Sequence, residues 1–239
     1  MNKKPVIGIL PVSTLYKEDN KNYYDEQYKF VNIYSKSIYE NGGIPVGILL
    51  NDNKLDYSTL DLYDGFLIPG GNRVEHYVYQ IIDYSIKNNK PLLGICAGMH
   101  GLSIYSYVME DLNDVELSGD RYQKLKKENN GSLLKKIDNH YHKITFDDIE
   151  SAKHKIKINK DSIIYDIYKS DQIDVVSLHK YTPKYIGKDF IISSYSNDNV
   201  IESIEYNKEG YFVVGVQWHP EYENNGVIKR LIDESIKRK

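Results

Sequence analysis

The feature that most constrains the fold is a single cysteine at the junction of a short apolar run and a helix-forming segment. Pro91-Leu92-Leu93 leads directly into Gly94-Ile95-Cys96-Ala97-Gly98, so Cys96 is expected on a sharp turn from a buried strand into a helix. Such a turn needs small residues on both sides, because strand and helix approach too closely for larger side chains. The start of a helix also favours a reactive thiolate. Cys96 is therefore predicted as a nucleophile, although a lone buried cysteine is usually inert.

A second motif, near the end of the chain, supplies the groups that a thiol nucleophile needs. An apolar strand run leads into Gln217-Trp218-His219-Pro220-Glu221. Proline holds the preceding residue in an extended conformation, and side chains two apart on extended backbone share a face. Glu221 is therefore expected beneath the His219 imidazole, where it would orient His219 as a general base.

A strand run that ends in Ile68-Pro69-Gly70-Gly71 predicts a backbone N–H exposed to an oxyanion. One donor is expected from Gly70 or Gly71, and the second from Ala97, just past the nucleophile. A plain loop after the strand is the alternative, since adjacent glycines also favour it.

Taken together, these motifs resemble the class I glutamine amidotransferase superfamily. They occur as Ile-Pro-Gly-Gly, Gly-Ile-Cys-Ala-Gly-Met and Gly-Val-Gln-Trp-His-Pro-Glu, in that order. The tryptophan before His219 points to the gamma-glutamyl hydrolase branch, the peptidase C26 group that includes gamma-glutamyl-GABA hydrolase. The resemblance extends over nearly the whole chain, including Asn41-Gly42-Gly43-Ile44-Pro45 and Val176-Ser177-Leu178-His179.

The resemblance implies a flavodoxin-like α/β fold in one domain, residues 1–239. Its sheet would be mostly parallel, with helices on both faces and a strand-rich C-terminal half. The sequence pattern agrees, because strand and helix signals alternate in the first half and place ligands at the carboxyl ends of the strands. Helices are predicted over Tyr24 to Asn41 and His76 to Lys87, and strand signals dominate from about His140.

The activity implied by the resemblance is hydrolysis of a gamma-glutamyl amide through a thioester on Cys96, with no metal or organic cofactor. His219 and Glu221 would complete a catalytic triad, and Gly71 and Ala97 would bind the oxyanion. The substrate-binding residues are expected to be Gly70, His100, Ser177 and His179.

Departures from the branch fall where the substrate's leaving group would lie. Ala97 replaces a common arginine, His100 a glutamine, Val176 an asparagine and Lys180 a second histidine. The chemistry is therefore better predicted than the identity of the amine that is released.

Two other functional classes fit the same motifs. The first is a glutaminase subunit that releases ammonia to a separate synthetase partner; association as a homodimer also stays open. The second is a binding or regulatory protein that kept the fold without turnover. An assay of glutaminase activity with and without a synthetase, together with a panel of gamma-glutamyl amines, would distinguish these classes.

The overall composition excludes several other classes of protein. With 239 residues, 41% hydrophobic residues and a net charge of −3, the chain is expected to fold around a substantial core and to bind neither nucleic acid nor membranes. A single cysteine excludes an intrachain disulfide framework and suits a reducing compartment. No signal-type or transmembrane run is found, which predicts a cytoplasmic protein.

Two further segments carry open alternatives. His140 and His142 share a face of a predicted strand, but no cysteine or carboxylate ligand set is near them in sequence, so no metal site is predicted. The stretch from Asn113 to Asn139 is expected to be a solvated surface loop, with a mobile flap over the active site as the alternative.

Overall fold

A nine-stranded sheet made from both halves of the chain forms the centre of the protein. The computed structural model describes residues 3–14, 27–51, 54–71, 74–112, 127, 132–142, 148–223 and 225–238. Five strands are parallel, and in their order across the sheet they are β4 (Ile44–Gly47), β1 (Val6–Ile9), β5 (Gly65–Ile68), β6 (Leu92–Ile95) and β13 (Val213–Val216). Their carboxyl ends therefore meet at one edge of the sheet.

The other half of the sheet is antiparallel. It continues from β13 with β12 (Ile201–Tyr206), β11 (Phe190–Ser196), β8 (Lys153–Ile158) and β9 (Gln172–Val176). The start of β12 and the end of β9 consequently lie at the same end of the sheet as the carboxyl ends of the parallel strands. The strand-rich C-terminal half expected from the sequence supplies this antiparallel extension.

In the part of the chain that the structure describes, two short antiparallel ribbons lie outside the main sheet. The first pairs β2 (Val12–Thr14) with β3 (Gln27–Lys29), and the second pairs β7 (Leu134–Lys136) with β10 (Tyr181–Pro183). The ribbon containing β7 orders the end of the stretch that was expected to be a loop from Asn113 to Asn139. Residues 113–126 and 128–131, and with them the proposed flap, lie outside the described residues.

Helices cover both faces of the sheet, as predicted. Within the described residues the helices are α1 (Asn32–Glu40), α2 (Tyr57–Leu60), α3 (His76–Lys87), α4 (Ala97–Leu112), α5 (Ile163–Tyr168) and α6 (Gly226–Lys237), and Glu150–Ala152 form one 3₁₀ turn. One core packs α3 and α4 against the sheet, and a second core packs α1, α5 and α6 against the opposite face. Among the described residues, no helix is both long enough and apolar enough to cross a bilayer.

The parallel strands contribute to both cores because alternate side chains point to opposite faces. In β5, Phe66 and Ile68 belong to the core under α3 and α4, whereas Leu67 belongs to the other core. All four residues of β5, β6 and β13 are buried, as expected for parallel strands that are covered on both sides.

One helix boundary differs from the sequence-based prediction. The helix expected from Tyr24 begins at Asn32, because residues 27–29 pair in extended conformation with β2. Residues 24–26 lie outside the described part of the chain. The helix over His76–Lys87 has the predicted bounds.

Glu205 on β12 is a buried carboxylate that accepts hydrogen bonds from the start of α5. Its carboxylate is 3% exposed, and both of its oxygens accept a hydrogen bond of 3.0 Å from the Ile163 N–H. Burial raises the pKa of Glu205 to about 7, although the backbone N–H groups of Ile163 and Ile164 act to lower it. The folded state therefore favours the protonated carboxyl, and this contribution to stability is lost as pH rises from about 4.5 to about 7.

We predict that Glu205→Gln removes this part of the pH dependence. Between pH 5 and pH 8, the free energy of unfolding of wild type should fall by on the order of 1–3 kcal/mol more than that of the variant. Urea denaturation at the two pH values measures the difference, with Glu209→Gln, at an exposed position, as the matched control. A difference between Glu205→Gln and wild type that does not change with pH would contradict the prediction.

Candidate active site

Cys96 lies on a strained turn between β6 and α4, as its sequence context predicts. Its φ is 50°, in the left-handed region, at a cost of about 1–3 kcal/mol for a residue with a side chain. The glycines on either side allow the turn, because a Cβ on Gly94 would lie 2.7 Å from the carbonyl carbon of Gly98. A Cβ on Gly98 would in turn lie 2.6 Å from the carbonyl oxygen of Ile68. The Cys96 N–H donates to the Val216 carbonyl at 2.8 Å, which fixes the turn to β13.

The histidine and glutamate that follow β13 form a close buried pair. Nδ1 of His219 is 2.6 Å from Oε1 of Glu221, and the two residues are 8% and 9% exposed. Since a carboxylate only accepts, Nδ1 carries the hydrogen and Nε2 faces away from Glu221. The fully buried Trp218 anchors the segment, and the His219 N–H donates to the Val176 carbonyl at 3.0 Å.

The charge next to His219 changes its proton affinity. Burial lowers the pKa of His219, but the Glu221 carboxylate and the adjacent Cys96 raise it by more, to about 10. Nε2 makes no aligned hydrogen bond within the described residues, although Cys96 is close enough to raise the pKa of His219. Contacts of this kind often tighten only when substrate is bound.

Gly70 lies against both members of the cysteine and histidine pair. A Cβ at this position would lie 3.0 Å from Cε1 of His219 and 3.4 Å from Cβ of Cys96. It would also lie 2.9 Å from the hydroxyl oxygen of Tyr34. The absence of a side chain at Gly70 thus allows the Pro69-Gly70-Gly71 turn to approach the cysteine.

Tyr34 is a residue of this site that the sequence reasoning missed. Its hydroxyl accepts a hydrogen bond of 3.0 Å from the Gly70 N–H, and the side chain is buried. The pKa of Tyr34 is raised well above its ordinary value by burial first and by the negative charge of Glu221 second. The phenol therefore stays protonated between the glycine turn and Glu221. Nothing in its local sequence distinguishes it from the other tyrosines, because only the packing of α1 brings it here.

The hydrogen bond to Tyr34 distinguishes Gly70 from Gly71, because it occupies the N–H of Gly70. The N–H of Gly70 is engaged, which leaves Gly71 as the better candidate for an oxyanion donor in this turn. Gly71 and Ala97 both line a narrow pocket next to the Cys96 turn, together with Pro11, Val12 and Tyr77. The two residues expected to donate to an oxyanion are therefore on the same small cavity.

His100 lies one helical turn after Cys96 but contacts other groups. Its Nε2 is 2.9 Å from Oε1 of Gln217 and 3.2 Å from the Tyr181 carbonyl, so this nitrogen carries the hydrogen. Burial lowers the pKa of His100 to about 4, with a further contribution from His179. His100 is therefore a neutral hydrogen-bond donor at physiological pH, and the structure gives it Gln217 as its close side-chain partner.

Ser177 and His179, which were expected in the substrate pocket, have buried partners of their own. The Ser177 hydroxyl donates to the His140 carbonyl at 2.8 Å, and Ser177 is fully buried. His179 is 3% exposed, and its Nδ1 donates to the Tyr181 carbonyl at 3.1 Å. These contacts hold the segment after β9 against the segment after β7 that carries His140.

The expectation that His140 lacks nearby carboxylates is wrong. The fold brings Glu202 to 3.3 Å from Nδ1 of His140, and Asp198 to 3.1 Å from its Nε2. His154 and His179 also approach Glu202. Burial acts to raise the pKa of Glu202, but the surrounding imidazoles lower it by more, to well below its usual range.

Comparisons with known proteins identify the family of this chain. The sequence profile of the family described as peptidase C26 matches residues 5–82 and 76–221. RP404 of Rickettsia prowazekii, a protein described by its likeness to glutamine amidotransferases, is 26% identical over 99% of this chain and 98% of its own length. CTP synthase of Methanosphaera stadtmanae is 29% identical over 72% of this chain. That match covers 33% of the synthase, so this chain spans about a third of its length.

Solved structures share the fold. The glutaminase domain of Trypanosoma brucei CTPS, determined with bound acivicin, superimposes with a TM-score of 0.66 at 16% identity, covering 98% of this chain and 95% of that chain. In this chain, Cys96 lies on a strained turn, and His219 and Glu221 form a close pair. With the family profile matched over most of its length, the chain belongs to the peptidase C26 family.

Proposed function

We propose that this protein hydrolyses a gamma-glutamyl amide through a thioester on Cys96. The observation that carries the proposal is the convergence of three separate segments on one point, namely Cys96, the His219 and Glu221 pair, and the Gly70 turn. A thiol nucleophile, a base and an orienting acid are the groups that amide hydrolysis requires. Membership of a family of hydrolases acting on C–N bonds supports the same reaction.

The chemical steps follow from the positions of these groups. The raised pKa of His219 favours the imidazolium, which holds the proton released by Cys96. The thiolate attacks the amide carbonyl, and the N–H groups of Gly71 and Ala97 stabilise the oxyanion. His219 then donates its Nε2 proton to the leaving amine, and the acyl group remains on sulfur. In the second half, His219 accepts a proton from water, whose oxygen attacks the thioester and releases Cys96.

The second candidate function is a glutaminase subunit that supplies ammonia to a separate synthetase, and the similarity to CTP synthase favours it. Since the chain spans about a third of that relative, its synthetase partner would be another polypeptide or a second domain. Purified protein should be assayed with glutamine and with a panel of gamma-glutamyl amines, with and without a candidate synthetase. Turnover of the amines alone supports the hydrolase, whereas glutaminase activity that depends on the synthetase supports the subunit.

We predict that Cys96→Ser lowers kcat/KM for the preferred amide by roughly 10³-fold or more while the fold is kept. A hydroxyl is far less acidic than a thiol and cannot form the thioester. A diazo-ketone analogue of glutamine should label wild-type protein once, at Cys96, as read by peptide mass mapping. Labelling at another residue, or wild-type activity in Cys96→Ser, would contradict the mechanism.

We predict that Tyr34→Phe lowers kcat by roughly 10-fold with a smaller change in KM. The variant removes the acceptor of the Gly70 N–H and the hydroxyl beside Glu221, and so loosens the turn that supports the oxyanion. Steady-state kinetics measure both constants. Tyr39→Phe, at a 65% exposed position on the same helix, is the matched control and should behave as wild type. Equal kinetics for the two variants would remove Tyr34 from the site.

A further inference from the structure

Four side chains from distant segments meet in a buried cluster near the active site. His154 lies on β8, Glu202 at the start of β12, and His140 and His179 follow β7 and β9. Glu202 is fully buried, and the side chains of His140, His179 and His154 are 3%, 1% and 20% exposed. The proposed amide hydrolysis uses none of these side chains as acid, base or nucleophile.

One oxygen of Glu202 is surrounded by three imidazole nitrogens. Oε1 is 3.3 Å from Nδ1 of His140, 3.2 Å from Nε2 of His154 and 3.4 Å from Nε2 of His179. None of these approaches is aligned as a hydrogen bond, so both oxygens of Glu202 and Nε2 of His154 lack a hydrogen-bond partner within the described part of the chain. A fully buried carboxylate in this condition is costly unless a cation or a proton compensates it.

The outer hydrogen bonds of two histidines fix which nitrogen faces the cluster. Nε2 of His140 lies 3.1–3.2 Å from the Asp198 carboxylate, and Nδ1 of His179 lies 3.1 Å from the Tyr181 carbonyl. Both partners only accept, so each of these nitrogens carries the ring hydrogen. In the neutral rings, Nδ1 of His140 and Nε2 of His179 then present bare lone pairs to each other at 3.3 Å. Two facing lone pairs repel unless a proton or a metal ion lies between them.

This arrangement has the features of an imidazole and carboxylate metal site. Metal-bound histidines commonly donate their other ring N–H to a carboxylate or a backbone carbonyl, as Asp198 and Tyr181 provide here. Four of the six separations among the four donor atoms lie between 3.2 and 3.4 Å. A tetrahedral zinc site with ligands at about 2.0–2.1 Å has donor separations of about 3.3–3.4 Å. His140, His154 and Glu202 also have donor atoms that all lie within 4.8 Å of one another.

We propose that His140, His154 and Glu202 bind one divalent transition metal ion of the zinc class, with His179 beside them. Imidazole with one carboxylate suits Zn²⁺, and excludes neither Co²⁺ nor Fe²⁺ as a substitute. The ion would join β8, β12 and the segments after β7 and β9 at the end of the sheet that carries Cys96. Its role in this position is structural, because the ligands are buried and the proposed amide hydrolysis uses none of them as acid, base or nucleophile.

The test is binding of Co²⁺ and Zn²⁺ to protein that has been freed of metal with a chelator. We expect one equivalent of Co²⁺ with the visible absorption of a tetrahedral ion, displaced by one equivalent of Zn²⁺. We also expect Zn²⁺ to raise the Tm by several degrees. A bound thiolate would add a strong near-ultraviolet charge-transfer band, so its absence separates this cluster from binding at Cys96.

Co²⁺ binding by variants of the cluster residues tests whether the ion binds at this cluster. Glu202→Gln and the milder His154→Gln should each weaken Co²⁺ binding at least 10-fold, in line with the loss of a ligand. His142→Gln, two residues from His140 and outside the cluster, is the matched control and should bind as wild type. Circular dichroism of each metal-free variant checks that it is folded, and His154→Gln carries the test if Glu202→Gln is not.

Three results would overturn the proposal. The first is a wild-type protein that binds no Co²⁺ or Zn²⁺ at micromolar concentration, which would indicate that protonated imidazoles compensate Glu202. The second is binding that persists unchanged in His154→Gln. The third is a thiolate charge-transfer band that disappears when Cys96 is alkylated. Loss of amidase activity alone decides nothing about the metal, so the outcome does not depend on the proposed function.

Discussion

The close approach of β6 and α4 around Cys96 is the constraint on which the rest of the site depends. Two glycines remove the side chains that would collide, at Gly94 and Gly98, and this lets the cysteine adopt a left-handed φ. The backbone strain is held because the strands on either side are fully buried and the Cys96 N–H is bonded to β13. A nucleophile on such a turn projects from the sheet edge, where the parallel strands end together.

The neighbouring strands then bring the other groups to the same edge. β13 pairs in parallel with β6, so the segment after Val216 leaves the sheet beside the cysteine and carries His219 with it. Gln217 and His219 are bonded to the backbone of β12 and β9, which fixes the segment to the antiparallel half. The same antiparallel extension places Glu202 and its histidines next to the site. The proposed metal would thus stabilise the wall against which the His219 segment packs.

Local sequence was enough to predict the cysteine turn and the His219 and Glu221 pair, because each arises from residues adjacent in the chain. Tyr34 was missed since it reaches the site only through the packing of α1, 62 residues before Cys96. The cluster around Glu202 was missed for a similar reason. The pairing of β8 and β12 with β11 between them sets its geometry, and no spacing in the sequence reveals that order.

In the proposed mechanism, amide turnover passes through an acyl group on the sulfur of Cys96. Rapid acid quenching during turnover of the preferred gamma-glutamyl amide, followed by peptide mass mapping, measures this intermediate directly. The peptide containing Cys96 should gain the mass of the acyl group, and hydroxylamine should remove it. Turnover at full rate with no acyl group trapped on that peptide, together with an adduct on a different residue, would contradict this mechanism.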